Sequence, residues 1–366
     1  MSQLLNFAIK NAASRLSELI ELHRSQSDVT FAEHVRARRK ERVARRSEAK
    51  RIYLDTLAWK CMADYRQKKP SLTPAMVTFG NALEQAAQSG KFVFPIGLPT
   101  FFELDSMTSP ETRAAVTELA DELSQGFCIV PYHERVRDEL RKLRSGTLEE
   151  PDAIEDFLCS PIELLGIPVI SLPAHVTTHV DQNTFNKAFY DTLSELPFSI
   201  QLEVAGSSSG AKWDNARGIA DMNEGKDAHQ ADITNLNTGI GIELKALIQA
   251  WFAAEEIDVS PKDIGLYALN ALYHWNQNPT SRALPTLRIL SSLYGLMRFD
   301  SQRRYRAGDP NDFMVAASAL PVAHALFTDR KLANFLADPR IHLVASSDCT
   351  IVSGFDEMAK YLADQL

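Results

Sequence analysis

The 366-residue chain has four cysteines, Cys61, Cys128, Cys159 and Cys349, and no two of them form a CxxC pair. Neither a zinc ribbon nor a thioredoxin-type motif can then be built from cysteine alone, and such sparse thiols point to reduced core residues. Long apolar runs are missing as well, since no segment approaches the ~20 residues that a membrane helix needs. The opening stretch, MSQLLNFAIKNAASRLSELIELHR, lacks a basic start followed by a continuous apolar run. Its residues Leu5, Ile9, Ala12, Leu16, Leu19 and Ile20 recur at helical spacing as a stripe. The expectation is a soluble cytoplasmic protein with no membrane partner. A positive balance is also lacking: 39 Lys and Arg stand against 47 Asp and Glu, a formal charge of −8. That disfavours a surface coated throughout for nucleic acid. No glycine-rich turn carries GK[ST], so a P-loop is excluded, and Asn237-Thr238-Gly239 reads as a turn.

What is present is an ordinary globular composition, 45% hydrophobic and 23% charged, with enough apolar material for a sizeable core. The length predicts two domains, or one domain with a large insertion. Charge is unevenly spread. From His34 to Arg51, nine cations face only Glu41 and Glu48, a local +7 that leaves −15 for the rest of the chain. This stretch reads either as a solvated helix or as a phosphate-contacting arm, with Arg36, Arg39, Lys40, Arg42 and Arg46 as the contacts. Arg303, Arg304 and Arg306 form a second basic group, able to hold substrate phosphates or to balance nearby acids.

Periodicity predicts an amphipathic helix over 3–23, and after the basic run strands and helices alternate. Strands are expected at Ile52–Leu54, Phe92–Ile96, Cys128–Val130, Ala325–Thr328 and His342–Ala345. Helices are expected at Thr56–Tyr65, Thr100–Met107, Arg113–Leu123 and Asp312–Leu320. Such alternation implies an α/β fold with a parallel central sheet covered on both faces. Four segments follow from this texture: an N-terminal helical basic arm over 1–50, α/β parts over 51–145 and 285–366, and a mostly helical insertion over 146–284. Within the insertion, the polar tract 206–241 reads as a long loop. Helices are expected at Ile242–Ile257 and Lys262–Trp275, and another at Pro285–Phe299. Trp251, Phe252, Tyr267, Tyr273 and Trp275 read as core. His175 and His179 carry no HExxH pattern and do not make a convincing metal pair.

Carboxylates stand where strands give way to helices: Asp55 in YLDT, Glu103 in LPTFFELD, Asp312 in GDPNDFMVAASAL and Asp329 in LFTDRKLANFL, with Asp309 three residues before Asp312. In open α/β sheets, ligand sites form beyond the carboxyl ends of the strands, so distant residues can converge there. Packed carboxylates repel and raise one another's pKa unless a cation neutralises them, and Mg²⁺ or Mn²⁺ suits an all-oxygen donor set. Each acid also has a capping role open to it. Asp55 and Asp329 can cap the helices that follow, Glu103 can close a capping box with Thr100, and Asp309 before Pro310 fits a helix start.

These residues resemble PIN-domain nucleases. Strand-Asp-Thr at Asp55-Thr56 is similar to the family's first acidic motif, and the helix carrying Glu103 to its second. The block NDFMVAASALPVAHALFTD is similar to its most recognisable segment. The resemblance covers about 51–144 and 284–366, and the ~150 residues before the third acid depart from the compact family pattern. It implies a PIN-like fold with Asp55, Glu103, Asp312 and Asp329 as catalytic and metal-binding acids. Asp309 would adjoin the metal, and Thr328 would orient a ligand or water. The implied activity is metal-dependent endonucleolytic hydrolysis of phosphodiester bonds with Mg²⁺ or Mn²⁺, RNA being the expected substrate and nucleic-acid partner. A non-catalytic PIN-like scaffold binding RNA or a protein is the alternative. A homo-oligomer or a regulatory protein partner is compatible with either.

Overall fold

The computed structural model describes residues 3–148, 153–166, 169, 171–172, 180–207, 213–228 and 230–366. His175, His179 and part of the polar tract lie outside them. Six strands occur among the described residues: β1 (Lys50–Leu54), β2 (Phe92–Val93), β3 (Cys128–Ile129), β4 (Leu158–Cys159), β5 (Ala325–Thr328) and β6 (Thr350–Ser353). Four of them form a parallel sheet in the order β2-β1-β5-β6, with Tyr53 opposite Leu326 and Phe327 opposite Val352. β3 and β4 pair antiparallel, and a parallel bridge from Ile96 to Cys128 sets that pair beside the continuation of β2. All four cysteines are free and buried.

Strand side chains alternate between two cores, as a sheet covered on both faces requires. Ile52, Leu54, Phe92, Ala325 and Phe327 enter one core with helices α3 (Thr56–Arg66), α4 (Pro74–Ser89), α5 (Leu98–Ser106) and α6 (Pro110–Ser124). Tyr53, Val93 and Leu326 enter the other, which includes Leu290 and Leu293 from the helix at Pro285–Phe299 and Phe313 from the helix at Asp309–Ala319. A third core joins α7 (Tyr132–Ser145) to the helices Leu236–Ala254 and Pro261–Gln277 through Val136, Leu140, Leu244, Ile248, Phe252 and Trp275. Phe252 and Trp275 are therefore core as expected, whereas Tyr273 is exposed.

Among the described residues after α7, the helices are α8 (Gln182–Leu193), α9 (Phe198–Ser207), α10 (Ile219–Ala228), α11 (Leu236–Ala254) and α12 (Pro261–Gln277). Then come α13 (Pro285–Phe299), α14 (Asp309–Ala319), α15 (Arg330–Leu336) and α16 (Phe355–Gln365). Three expectations are corrected. The polar tract is not one long loop, because it contains α10 and the start of α11. Gly239 lies in the first turns of α11, where a Cβ would stand 2.8 Å from the Gly295 carbonyl of α13. Glycine there serves a close helix crossing and not a turn. The last strand is Thr350–Ser353, and His342–Ala345 forms a turn region entered through His342 at φ 54°.

Helices α1 (Gln3–Arg24) and α2 (Phe31–Ala44) pack on α8. A full capping box at Thr30 and Glu33 starts α2. No helix among the described residues is long and apolar enough to cross a membrane.

Candidate acidic site

The acids gather at the carboxyl ends of the parallel strands. Asp55 follows β1 directly and caps α3, accepting from the Thr56 amide at 2.6 Å. Asp329 follows β5 and caps α15, accepting from the Leu332 amide at 2.8 Å. These strands are neighbours in the sheet, and the chain leaves β1 toward β2 on one side while β5 leads to β6 on the other. Their junction is thus the switch point at which open α/β sheets place ligands. Thr328, fully buried at the end of β5, bridges it by donating its hydroxyl to Asp55 Oδ2 at 2.9 Å.

Glu103 and Asp309 do not have the capping roles open to them in sequence. The N-cap of α5 is Gly97, with no side-chain cap, so Thr100 lies inside the helix and bonds the Tyr53 hydroxyl at 3.1 Å. Glu103 is then available to accept from the Asn311 amide group at 2.6 Å, which ties α5 to α14. Gly308 caps α14, and buried Asp309 accepts from the Arg306 amide at 2.7 Å. Lys331, two residues after Asp329, forms ion pairs with both Asp309 and Asp312, the latter at 3.0 Å.

Charge follows from this packing. Burial pushes the Asp55 carboxyl up to about 7; the Thr328 hydrogen bond opposes this, and the Glu103 and Asp312 charges add to it. Burial likewise raises Asp312 to about 6 against the pull of Lys331, with Asp329 and Asp309 contributing repulsion. Burial disfavours the Lys331 ammonium, yet Asp309 and Asp312 hold its pKa above the ordinary value. The five acids therefore share one electrostatic neighbourhood, although no three of their carboxylates bring ligand oxygens all within 4.8 Å of one another. Residues 213–215 border it: Trp213 stacks on Phe102, beside Glu103, at 4.8 Å, and the Asn215 carbonyl accepts from the Gly308 amide, beside Asp309.

The candidate phosphate contacts divide. Arg39 is held by Glu163 at 2.6 Å and Glu134 at 3.4 Å. Arg42 donates to the Gly126 and Ser194 carbonyls, each at 3.0 Å. These two guanidiniums fasten the arm to the body because both face inward from α2. Arg36, Lys40 and Arg46 are exposed, Arg36 within 3.3 Å of Asp156. Arg303 lies 4.1 Å over the Phe335 ring, Arg304 pairs with Asp227 at 2.5 Å, and Arg306 is exposed.

Sequence reasoning missed Asn311 and Lys331, although both sit beside an acid it singled out. It also missed His23, His34 and Asp191, far apart in the chain. His23 Nε2 lies 3.0 Å from Asp191 Oδ2, and His34 Nε2 lies 2.9 Å from Oδ1. Among the described residues this is the group whose candidate ligand atoms all lie within 4.8 Å, and it could hold a metal ion. Arg38 already donates to Asp191 Oδ1 at 3.0 Å, so the carboxylate has a cation without one. No family model, curated protein or solved structure matches this chain.

Proposed function

We propose that the chain is a PIN-like metal-dependent nuclease that hydrolyses phosphodiester bonds, with RNA as its substrate. The observation that carries this reading is the meeting of Asp55, Glu103, Asp309, Asp312 and Asp329 at the switch point of a parallel sheet, with Asp55 and Asp312 pushed above the usual carboxylate range. Such repulsion is what a divalent ion relieves, and an all-carboxylate donor set fits Mg²⁺ or Mn²⁺. Asp55, Glu103, Asp312 and Asp329 would hold it, with Asp309 adjoining. A bound ion of this kind supplies a more acidic water and neutralises charge on the attacked phosphate.

The chain's own groups do the positioning. Thr328 fixes Asp55, Asn311 fixes Glu103, and Lys331 draws Asp309 and Asp312 together. Exposed Arg306, three residues before Asp309, is available to a substrate phosphate.

The test is incubation of single-stranded RNA, single-stranded DNA and duplex DNA with Mn²⁺ or chelator. RNA cleavage with Mn²⁺ is expected, together with a loss of about a hundredfold or more in Asp312→Asn and Asp55→Asn. Asn caps a helix as well as Asp, so Asp55→Asn keeps α3 intact. Full activity in both variants would sink the reading. One observation favours the alternative, a non-catalytic scaffold: the Lys331 ammonium already neutralises part of the cluster. If Mn²⁺ neither binds nor raises the melting temperature, the scaffold reading holds.

A further inference from the structure

A concave site lies at the rim of the sheet opposite the acidic cluster. Its cavity of about 570 Å³ falls within the range of small-molecule pockets. Arg51 enters it from the start of β1, His324 from the residue before β5, and Ser346–Asp348 from the approach to β6. Arg51 and Asp55 are four residues apart on one strand, so roughly 13 Å of sheet separates the cavity from the acidic cluster.

The charges lining this cavity are the reverse of those in the acidic cluster. Arg51, Lys142, Arg282 and Arg288 line it, and the one acid among the described lining residues, Asp348, is paired with Arg282. Arg288 is buried and gives its Nη groups to the Ser281 and Pro279 carbonyls at 2.6 and 2.7 Å. Arg51 gives only Nε, to the Val322 carbonyl at 2.8 Å. Neither contact is with a carboxylate, and burial lowers the pKa of both guanidiniums, Arg288 to about 10. A half-buried guanidinium without a carboxylate is costly unless an anion supplies the missing charge.

His324 adds a donor. Its Nδ1 accepts the Arg51 backbone amide at 2.9 Å, so the neutral ring carries its proton on Nε2. Burial lowers its pKa, and Arg51 and Lys50 add to this, which keeps the ring neutral. Phe157, Leu284, Ile289 and Val322 add apolar lining to the same cavity. Charged donors and apolar lining in one cavity match a ligand with a phosphate and a weakly polar body.

We propose that this cavity binds a phosphorylated small molecule of nucleotide size, with its phosphate on Arg51 and His324. The inference does not rest on the nuclease reading. Titration calorimetry of the full chain in chelator, with AMP, ATP and inorganic phosphate as separate probes, tests it. At least one nucleotide is expected to bind more tightly than phosphate alone. Arg51→Gln is expected to weaken it by about tenfold or more, the weight of a charge-assisted hydrogen bond. Asp312→Asn is expected to leave the affinity unchanged, which separates this site from the acidic one. Arg282→Gln, at an exposed position, gives a smaller loss and covers the case in which Arg51→Gln fails to fold. Failure of both nucleotides to bind at millimolar concentration overturns the proposal. Equal affinity for phosphate and nucleotide does so too, as does binding abolished by Asp312→Asn.

Discussion

An ammonium group between two carboxylates does part of what a divalent ion does, and Lys331 does this for Asp309 and Asp312. Removing it leaves their repulsion uncompensated and increases the cluster's demand for a cation. Lys331→Ala is therefore expected to melt lower than the wild type in chelator and to gain more from Mn²⁺, as thermal melts at fixed ion concentration will read. An equal gain in the two proteins would place the ion elsewhere. A buried acid far from this cluster sets a pH dependence. Glu139 caps α13, accepting from the Thr286 and Leu287 amides at 2.8 Å each. Burial pushes it up to about 7 from 4.5, and those hydrogen bonds oppose the rise. Between these values the folded chain binds the proton and the unfolded chain does not. Its stabilising contribution is therefore complete below the unfolded pKa and is lost as pH rises through about 7. The span corresponds to about 3 kcal/mol. Denaturant melts across that window should show a shallower fall for Glu139→Gln than for the wild type.

At the scale of elements, the crossing of α11 and α13 depends on two glycines. A Cβ on Gly295 would stand 2.6 Å from Ile240 Cα, which is backbone and cannot rotate away. Gly295→Ala is expected to cost about 1–3 kcal/mol in denaturant melts, as overpacking does. The attachment of α1 and α2 to α8 depends on His23, His34 and Asp191, and it weakens in acid. Burial holds the His23 pKa below its ordinary value, so its contribution is lost as pH falls from about 6.5. Burial opposes the Asp191 charge, but His34, Arg38 and His23 outweigh it and lower the pKa, so this carboxylate yields only further down. Hydrogen-exchange protection factors over 14–44, corrected for the intrinsic rate at each pH, should fall as pH drops below about 6.5 while those of β5 hold; unchanged protection in the arm would refute this. The alternation of short apolar strands with helices was readable because a parallel sheet buries both strand faces, and the capping roles of Asp55 and Asp329 were readable because each directly follows a strand. The Asn311–Glu103 and Lys331–Asp312 contacts were not, since each joins residues whose distance only the packing of α5, α14 and α15 decides. The polar tract misled for a related reason: α10 is short, and its apolar residues Ile219 and Met222 pack on a core that other segments build.

For the whole molecule, a net charge of −8 is a poor guide to partners because much of the +7 between His34 and Arg51 is used internally. Arg38, Arg39 and Arg42 meet Asp191, Glu163 and backbone carbonyls, so they hold the arm in place and are withdrawn from any ligand. Lys40, Arg45 and Arg46 remain exposed on the same helix and its end. The two groups should therefore separate in experiment. Arg39→Gln leaves Glu163, fully buried, without its guanidinium, and an unpaired buried charge costs several kcal/mol, so this change should loosen the arm. Replacing Lys40, Arg45 and Arg46 together with Gln should leave the melting temperature within about a degree or two, as surface changes do. If the arm contacts RNA, the triple variant should lose affinity for every sequence alike. Each phosphate contact removed should also make log affinity against log salt shallower by about 0.7 for a single strand. A salt slope that does not change would confine RNA contacts to the acidic rim and its neighbour Arg306. The arm would then be a structural clasp between α8 and the sheet, its basic character set by Glu163, Glu134 and Asp191 and not by a nucleic acid.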